Sequence, residues 1–582
     1  MANIKQNPTY RAQNKYYGHD LSQHLEFTST TGQLVPVYHD VINPGEKLSI
    51  STYMKTRTQP LASAAMIKMN EYLEWYFVPL NQIYKPFGNW FYGIQDFGSS
   101  MFIKDGNLNT RMSQKFPYFT SYDINNFHDG AVGFQTLMGE DFYTGFVRLA
   151  AHLGFDDKSI LDKAYDWDDV YFSFTPLLFC AYQKIWMDHY RLSDRIDNDP
   201  RSFNLDSFFD KGHIDSDFEH ESMRKMFELR YRPLQKDFFT NNFPSPLFGA
   251  SSVGAQSFVG QDLANSTLEK VNQWLTSNML ISVNDANGVE QPVTPTNASL
   301  YHQMQENMYV SQMNQANIKT LFAADKLLEV TRRSGKHYDA QTLAHFGVSV
   351  PDNIEGQSYY LGRSVQELIV GDVVSTSNTD NEDPSSPLGS PLGEIAGKGY
   401  AVGRGNEIKF EAPCHGVLMC LYSSAPVVDY YEEGLDKLNC LIEKSDYFVP
   451  EYDNLGMQPL FGYQCELKKN IAALSAIRGW QYRYYEFKQK YNRIITGLKH
   501  TQKHWTVGKR TGMSSGYDTV NYYVSPNALG NAMLYHYNYG YDAEGYAITK
   551  ASNVFESDPL IHEIAFDVKK ASQMTTYGLM EL

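Results

Sequence analysis

The sequence predicts a mainly β protein, an antiparallel β-sandwich or barrel with elaborate loops. Three observations predict it. Short segments alternate apolar and polar residues with the period of two that a half-buried strand imposes. The connections between those segments are very long. Helical periodicity is confined to the connections, so helices decorate the core and do not build it.

Composition allows such a core. Of the 582 residues, 42% are hydrophobic and 20% charged, which excludes global disorder. The 42 tyrosines raise the aromatic content to 14%. A tyrosine buries a large ring while its hydroxyl keeps a polar partner, which suits strands and contacts between chains.

Residues 1–24 are polar and aperiodic, with Lys5, Arg11 and Lys15 ahead of the first acid, Asp20. They read as an extended N-terminal arm that needs a partner surface to become ordered. Strand character begins at residues 33–41 and returns over 44–58. There Asn43-Pro44-Gly45 signals a turn, and Leu48, Ile50, Thr52 and Met54 alternate with polar positions. Residues 71–79 form a further strand closed by Pro79. Residues 84–103, crowded with Trp90, Phe91, Tyr92 and Gly93, suit a packed loop.

A helix is expected over 176–191, where Leu178, Ala181, Tyr182, Ile185, Trp186 and His189 share one face as core. A second runs from about 318 to 333, with Asn317 as N-cap and Leu321, Ala324 and Leu328 as its apolar face. A shorter one follows at 339–345. Residues 25–582 read as one domain with three insertions. Residues 194–224 form an acidic, polar variable loop, and 250–316 are rich in Gly, Ser, Asn and Gln. Residues 371–406 form a long Gly/Ser/Pro/Asp loop. Strand character resumes over 407–424, with Val417 to Tyr422 as a buried run, and over 561–568.

A formal net charge of −16 and a sequence pI of about 5.5 exclude a protein that coats nucleic acid over its whole surface. Any such contact must be local. The odd set Cys180, Cys414, Cys420, Cys440 and Cys465 contains no C-x-x-C pair and fits neither a zinc site nor a disulfide framework. Reduced, mostly buried thiols are expected. The first residues lack the apolar stretch of a signal peptide, and the densest apolar run, 174–182, is too short to span a bilayer.

Catalytic signatures are mostly absent: no P-loop, no H-E-x-x-H and no G-x-S-x-G. Gly397, Gly399 and Gly403 brush against a dinucleotide-binding pattern with the wrong spacing and no following helix. His337, Asp339 and His345 make a weak metal motif, and the neighbours Glu432 and Glu433 point apart in helix or strand. No catalytic residue, cofactor or metal ligand is therefore expected. One segment is electrostatically unusual. Arg478, Arg483, Lys488, Lys490, Arg493, Lys499, Lys503, Lys509 and Arg510 are interrupted by a single acid, Glu486. Trp480, Tyr482, Tyr484, Tyr485, Phe487, Tyr491 and Trp505 are interleaved with them. Cations that track phosphates and rings that stack on bases are what single-stranded nucleic acid binding requires. A solvated basic face, or a rim that docks a neighbour's acidic loops, is the plainer reading.

A series of short motifs runs along the chain in one order. Pro44-Gly45, Asn70-Glu71-Tyr72 and Phe77-Val78-Pro79 open it. Phe238-Phe239-Thr240 with Pro244 and Pro246 follows, then Gly335, Tyr338, His345-Phe346-Gly347-Val348 and Pro351-Asp352. Tyr360-Leu361-Gly362 and Ser375-Thr376-Ser377 come next. His415-Gly416, Tyr430, Gly434-Leu435, Phe448, Pro450-Glu451 and Leu455-Gly456 extend the match. It runs on through Phe461-Gly462-Tyr463-Gln464 and Arg493-Ile494-Ile495-Thr496-Gly497. Phe566-Asp567-Val568-Lys569, Met574 and Tyr577-Gly578 close it. In this order the motifs resemble the major capsid proteins of the Microviridae, especially the gokushovirus-like branch, from opening to closing segment. Residues 465–482 lengthen the family spacing, and 194–224 and 250–316 match none of these motifs.

The resemblance implies a viral jelly roll, eight antiparallel strands in two facing sheets, with long loop and helix-containing insertions. It implies a homo-oligomer forming the smallest icosahedral (T=1) shell around a circular single-stranded DNA genome. Implied partners are a small internal DNA-binding protein, minor capsid proteins and a receptor on the bacterial host surface, with no membrane insertion. The implied location is the virion, after synthesis in the host cytoplasm. By position, 250–316 is the candidate for the family's protrusion at the threefold axes. Two rival readings stay open: a β-sandwich enzyme acting on polysaccharide through paired acids in an aromatic cleft, and a single-stranded-DNA-binding module.

Overall fold

The computed structural model describes residues 15–61, 63–92, 116–120, 142–155, 173–206, 225–246, 315–334, 338–349, 356–374, 395–431, 434–453, 456–467, 474–510, 522–526 and 558–576, with shorter pieces between them. The core strands are β1 (Tyr17–Asp20), β2 (Gln23–Ser29), β3 (Val35–Ile42), β4 (Lys47–Thr58), β5 (Met69–Pro79), β6 (Tyr359–Val374), β7 (Ile395–Arg404), β8 (Ile408–Glu411) and β9 (Gly416–Pro426). The last core strand, Leu560–Ser572, is β15 in the numbering used below.

These strands form one curled antiparallel sheet that folds over on itself. Its first half has the order β2–β15–β4–β7, extended by β1 beside β15 and β8 beside β4. Its second half has the order β3–β9–β5–β6. The pairing of β6 with β7, Ile369 opposite Tyr400, joins the halves at one edge. Eight long strands in two facing halves make a jelly-roll β-sandwich.

Between the halves lies a core of alternate residues: Ile50 and Met54 of β4, Leu73, Trp75 and Phe77 of β5, Leu418, Cys420 and Tyr422 of β9, and Ile564, Phe566 and Val568 of β15. Trp75 meets Phe566 edge to face at 5.9 Å. The second half-sheet is buried on its other face as well. Tyr76, Val78, Val417, Met419 and Leu421 pack there against helices α1 (Phe142–His152) and α2 (Leu177–Ile185), the latter continued by a π turn, Trp186–Tyr190. Each such fully buried aliphatic side chain contributes about 1.5–3 kcal/mol. Because α2 is enclosed nearly all round, residues off the expected stripe, such as Phe179 and Cys180, are as buried as those on it.

Several polar groups buried in the sandwich are paired with one another, which offsets the cost of removing them from water. The Glu71 carboxylate accepts hydrogen bonds from Gln366 Nε2 (2.5 Å) and Tyr422 Oη (2.9 Å). Burial raises its pKa. His562 shares hydrogen bonds with Ser29 Oγ (2.8 Å) and Thr56 Oγ1 (3.0 Å) and lies 3.8 Å from Glu71. Burial, aided by His152, lowers its pKa to about 3. Arg148 of α1 makes a two-pronged ion pair with Asp558 at 2.8 and 2.9 Å, both side chains fully buried.

Several expectations need correction. Strands β1 and β2 place residues 17–29 in the sheet, so the boundary at residue 24 falls inside a strand. The surface that orders this segment is the chain's own β15. Residues 371–374 and 395–404 of the expected 371–406 loop are strand. Composition hid β7 because Gly397, Gly399 and Gly403 face inward, where neighbours leave no room. A Cβ on Gly399 would lie 2.4 Å from Thr58 Cγ2, and one on Gly397 would lie 2.1 Å from the Ser63 carbonyl. The apparent dinucleotide-binding glycines are thus the small inner positions of a strand. Phe87–Tyr92 is a short helix instead of loop. Helix α3 (Gln315–Arg333) starts before Asn317, which lies within it and does not cap it, and α4 (Tyr338–Phe346) follows. Residues 1–14, 207–224 and 377–394 lie outside the described residues. So does most of 250–316, apart from a pairing of Ser282–Asn284 with Glu290–Pro292 and the start of α3.

Candidate nucleic-acid interface

The basic segment belongs to a lobe built from the connection between β9 and β15. It contains the hairpin β11 (Met457–Phe461) with β12 (Ile477–Tyr482). Beside it, β10 (Asp429–Tyr431) is flanked in parallel by β13 (Asn492–Ile494) and β14 (Gly508–Arg510). The hairpin hands over to the rest of the segment through Tyr484, a non-glycine residue at φ 58°. That left-handed conformation is unfavourable for a bulky side chain. It is held by the bond that Tyr484 N donates to Gln458 Oε1 (2.9 Å) and by burial of the ring.

The structure divides the nine cations. Arg493 and Lys509 are drawn into one register row on either side of Tyr430, about 10 Å apart across two strand spacings. Lys499 and Lys503 lie on the turns that connect those strands, Lys503 exposed and Lys499 half-buried. Arg510 ends β14, and its side chain lies outside the described residues. The remaining four are on or near the hairpin. Lys488 is paired with Asp453 at 2.7 Å, and exposed Lys490 donates to the Glu486 carbonyl at 3.1 Å. Half-buried Arg483 stands over the rings of Tyr484 (5.2 Å) and Tyr452 (5.8 Å). Arg478 holds Nε and Nη1 inside the fold with no hydrogen-bond partner.

Sequence reasoning missed the acids that the fold brings to this surface. Asp436 lies 3.7 Å from Arg493, Asp453 pairs with Lys488, and the charge of Arg483 helps hold the Asp446 carboxyl below its usual range, after the Glu443 and Ile442 backbone N–H groups. All three come from 434–453, a stretch whose acid density is the signal that was available. The rings also have structural work. Tyr484 and Tyr485 are buried, and Tyr482 and Tyr491 pack on a cluster with Phe238, Phe239, Tyr430 and Leu460. Phe239 and Tyr491 have centroids 4.7 Å apart, and Tyr430 Oη donates to Asp237 at 2.7 Å. Phe487, 47% exposed, keeps a face open for stacking. The arrangement therefore offers a surface for phosphates with few free ring faces.

Other candidate chemistry does not assemble. Asp339 and His345 lie on α4, where His345 Nε2 is bonded to Thr331 Oγ1 at 3.1 Å, and His337 lies outside the described residues. Among the described residues no group of three or more His, Cys, Asp or Glu is placed to hold a metal, and no helix is long and apolar enough to cross a membrane. All five cysteines are free, and burial pushes the Cys465 thiol up to about 12.

A jelly roll with oversized connections, and with one sheet face that no helix covers among the described residues, defines a class of β-sandwich proteins suited to packing side by side. The chain belongs to the family described as capsid protein (F protein), whose profile matches residues 5–103 and 147–506. It is 26% identical over 191 residues to the capsid protein VP1 of Chlamydia phage 1, covering 31% of this chain and 30% of that protein. It is 29% identical over 181 residues to the capsid protein VP1 of Bdellovibrio phage phiMH2K, covering 31% of each. Both phages are Microviridae, in line with the motif resemblance. The chain thus aligns with under a third of the length of either relative.

Proposed function

We propose that this chain is the major capsid protein of a small phage, a structural subunit and not an enzyme. Copies assemble into the T=1 shell around a circular single-stranded DNA genome. The outward cations of 478–510 face that DNA, with Lys490, Lys499, Lys503 and Lys509 as phosphate contacts. Residues 250–316 form the outward protrusion that meets the bacterial surface. The subunit is made in the host cytoplasm and resides in the virion, alongside minor capsid proteins and a small internal DNA-binding protein. The observation that carries the shell reading is the jelly roll itself, in a chain that belongs to a capsid family.

The test is sedimentation and electron microscopy of the purified full-length chain across ionic strength. Closed particles of one size are expected. They should be favoured by salt, because copies of net charge −16 repel one another until screened. A species that stays monomeric at every salt concentration overturns the reading. For the DNA contact, affinity for a single-stranded oligonucleotide should fall with salt, at roughly 0.7 log units per log unit for each phosphate neutralised. Replacing Lys490 and Lys503 by Gln should lower that slope; an unchanged slope removes them from the interface.

A further inference from the structure

The half-sheet β2–β15–β4–β7 continues into β6 across the shared edge, and among the described residues no helix or strand covers the outward face of this strand row. On β6, Val365, Ile369 and Val373 point away from the sandwich, and Ile369 is 69% exposed in mid-strand. The register sets Ile369 beside Tyr400, Tyr400 beside Arg57, and Arg57 beside Ile561. The next row runs from Val402 through Lys55 to Glu563. An antiparallel sheet that faces water carries polar residues at its outward positions. The far end of β15 does so, with Asp567 and Lys569. Ile369, Tyr400 and Ile561 in the first row and Val402 in the second depart from that rule, and exposed apolar surface set among charges marks a contact.

The chemistry of the rows selects the occupant. Val365, Ile369, Val402 and Ile561 are aliphatic, and Tyr400 beside Ile369 is an exposed ring of the kind enriched at contacts between proteins. Such side chains fit the apolar centre of a protein interface. Arg57, Lys398 and Arg404 stand on the same face with no ion-pair partner among the described residues, whereas Lys55 is already matched by Glu563 at 2.8 Å. An excess of unpaired cations on a chain of net charge −16 is complementary to the acidic surface of another copy.

We propose that this face seats a second copy of the chain, with Val365, Ile369, Tyr400, Val402 and Ile561 as the apolar part of the contact and Arg57, Lys398 and Arg404 as the cations that meet the other copy's acids. The inference rests on the shell reading and names the surface through which assembly proceeds. The test uses full-length Ile369→Asp and Val402→Asp beside the unaltered chain, with circular dichroism and thermal unfolding to report the fold. Particle yield by sedimentation should drop about tenfold or more while the monomer stays folded, since a charge buried unpaired at an interface centre costs more than 1.4 kcal/mol. Should Asp unfold the chain, Ile369→Thr and Val402→Thr, which keep strand-compatible branching, give the same readout. Failure of the unaltered chain to form particles overturns the shell reading and this inference together. Particles from both variants at the unaltered yield overturn the inference alone. Particles that form normally but lose their DNA assign the face to nucleic acid and likewise overturn it.

Discussion

The two halves of the sandwich use similar residues but bury different numbers of faces. On β9, Val417, Met419 and Leu421 enter the helical core while Leu418, Cys420 and Tyr422 enter the sandwich core. On β15, Ile564, Phe566 and Val568 turn inward, whereas Ile561, Asp567 and Lys569 meet solvent. The continuous apolar run and the alternating run are both strands. What differs is whether another layer lies outside the sheet. That layer, α1 and α2, comes from the connection between β5 and β6, and it covers the half-sheet to which those strands belong.

The strongest way to break this contrast is at the fully buried ion pair that ties the layers. Arg148 on the helical layer and Asp558 at the start of β15 hold the layer to the other half-sheet. Arg148→Ala should cost about 3–5 kcal/mol, because it strands a buried carboxylate. Urea unfolding measures it, and a loss below 1 kcal/mol would show that the tie is not structural.

A smaller effect sharpens the comparison strand by strand. On the doubly buried β9, Leu418→Ala and Met419→Ala should each cost about 2–5 kcal/mol, although they point in opposite directions. On β15 the neighbours should split: about 2–5 kcal/mol for Ile564→Ala and within about 0.5 kcal/mol for Ile561→Ala in the monomer. Equal losses at 561 and 564 would mean that the outward face is covered within the subunit.

The gentlest probe is pH. His562 has a folded pKa lowered from 6.5 to about 3, so between those values the unfolded chain binds the proton and the folded chain does not. Stability therefore falls as pH drops below about 6.5 and stops falling through this group near 3. Glu71, raised by burial, acts in the opposite sense: its contribution is present at low pH and lost as pH rises through its folded value. His562→Gln should flatten the acid limb by one proton in urea melts at stepped pH. An unchanged limb would place the acid sensitivity elsewhere, with buried His152 the next group to replace.

Much of the sandwich was legible in the sequence. Alternation at Leu48, Ile50, Thr52 and Met54 marked β4, and the apolar run at 417–422 marked β9, because strand sides report directly on burial. The outer strand of the first half-sheet was illegible: residues 17–29 are polar and acquire strand form only by pairing with a segment more than 530 positions away. β7 was hidden for the opposite reason, since its glycines look like loop until Thr58 and Ser63 are seen pressing on them. In the basic lobe the charges were visible, but their neutralisation by Asp436 and Asp453 was not. Ion pairs form between residues that share space, and composition along the chain does not record that.

The sequence by itself determined the class of fold, the helices in the connections, the family and the place of the basic stretch. Each depends on local pattern or ordered motifs, which survive without coordinates. Tertiary structure alone decided which strands neighbour which, that among the described residues one half-sheet is covered on both faces and the other on one, and that Tyr482, Tyr484, Tyr485 and Tyr491 of the basic lobe are packed into the fold. Those outcomes depend on which distant surfaces meet, and the hydrophobic effect rewards burial without specifying the partner.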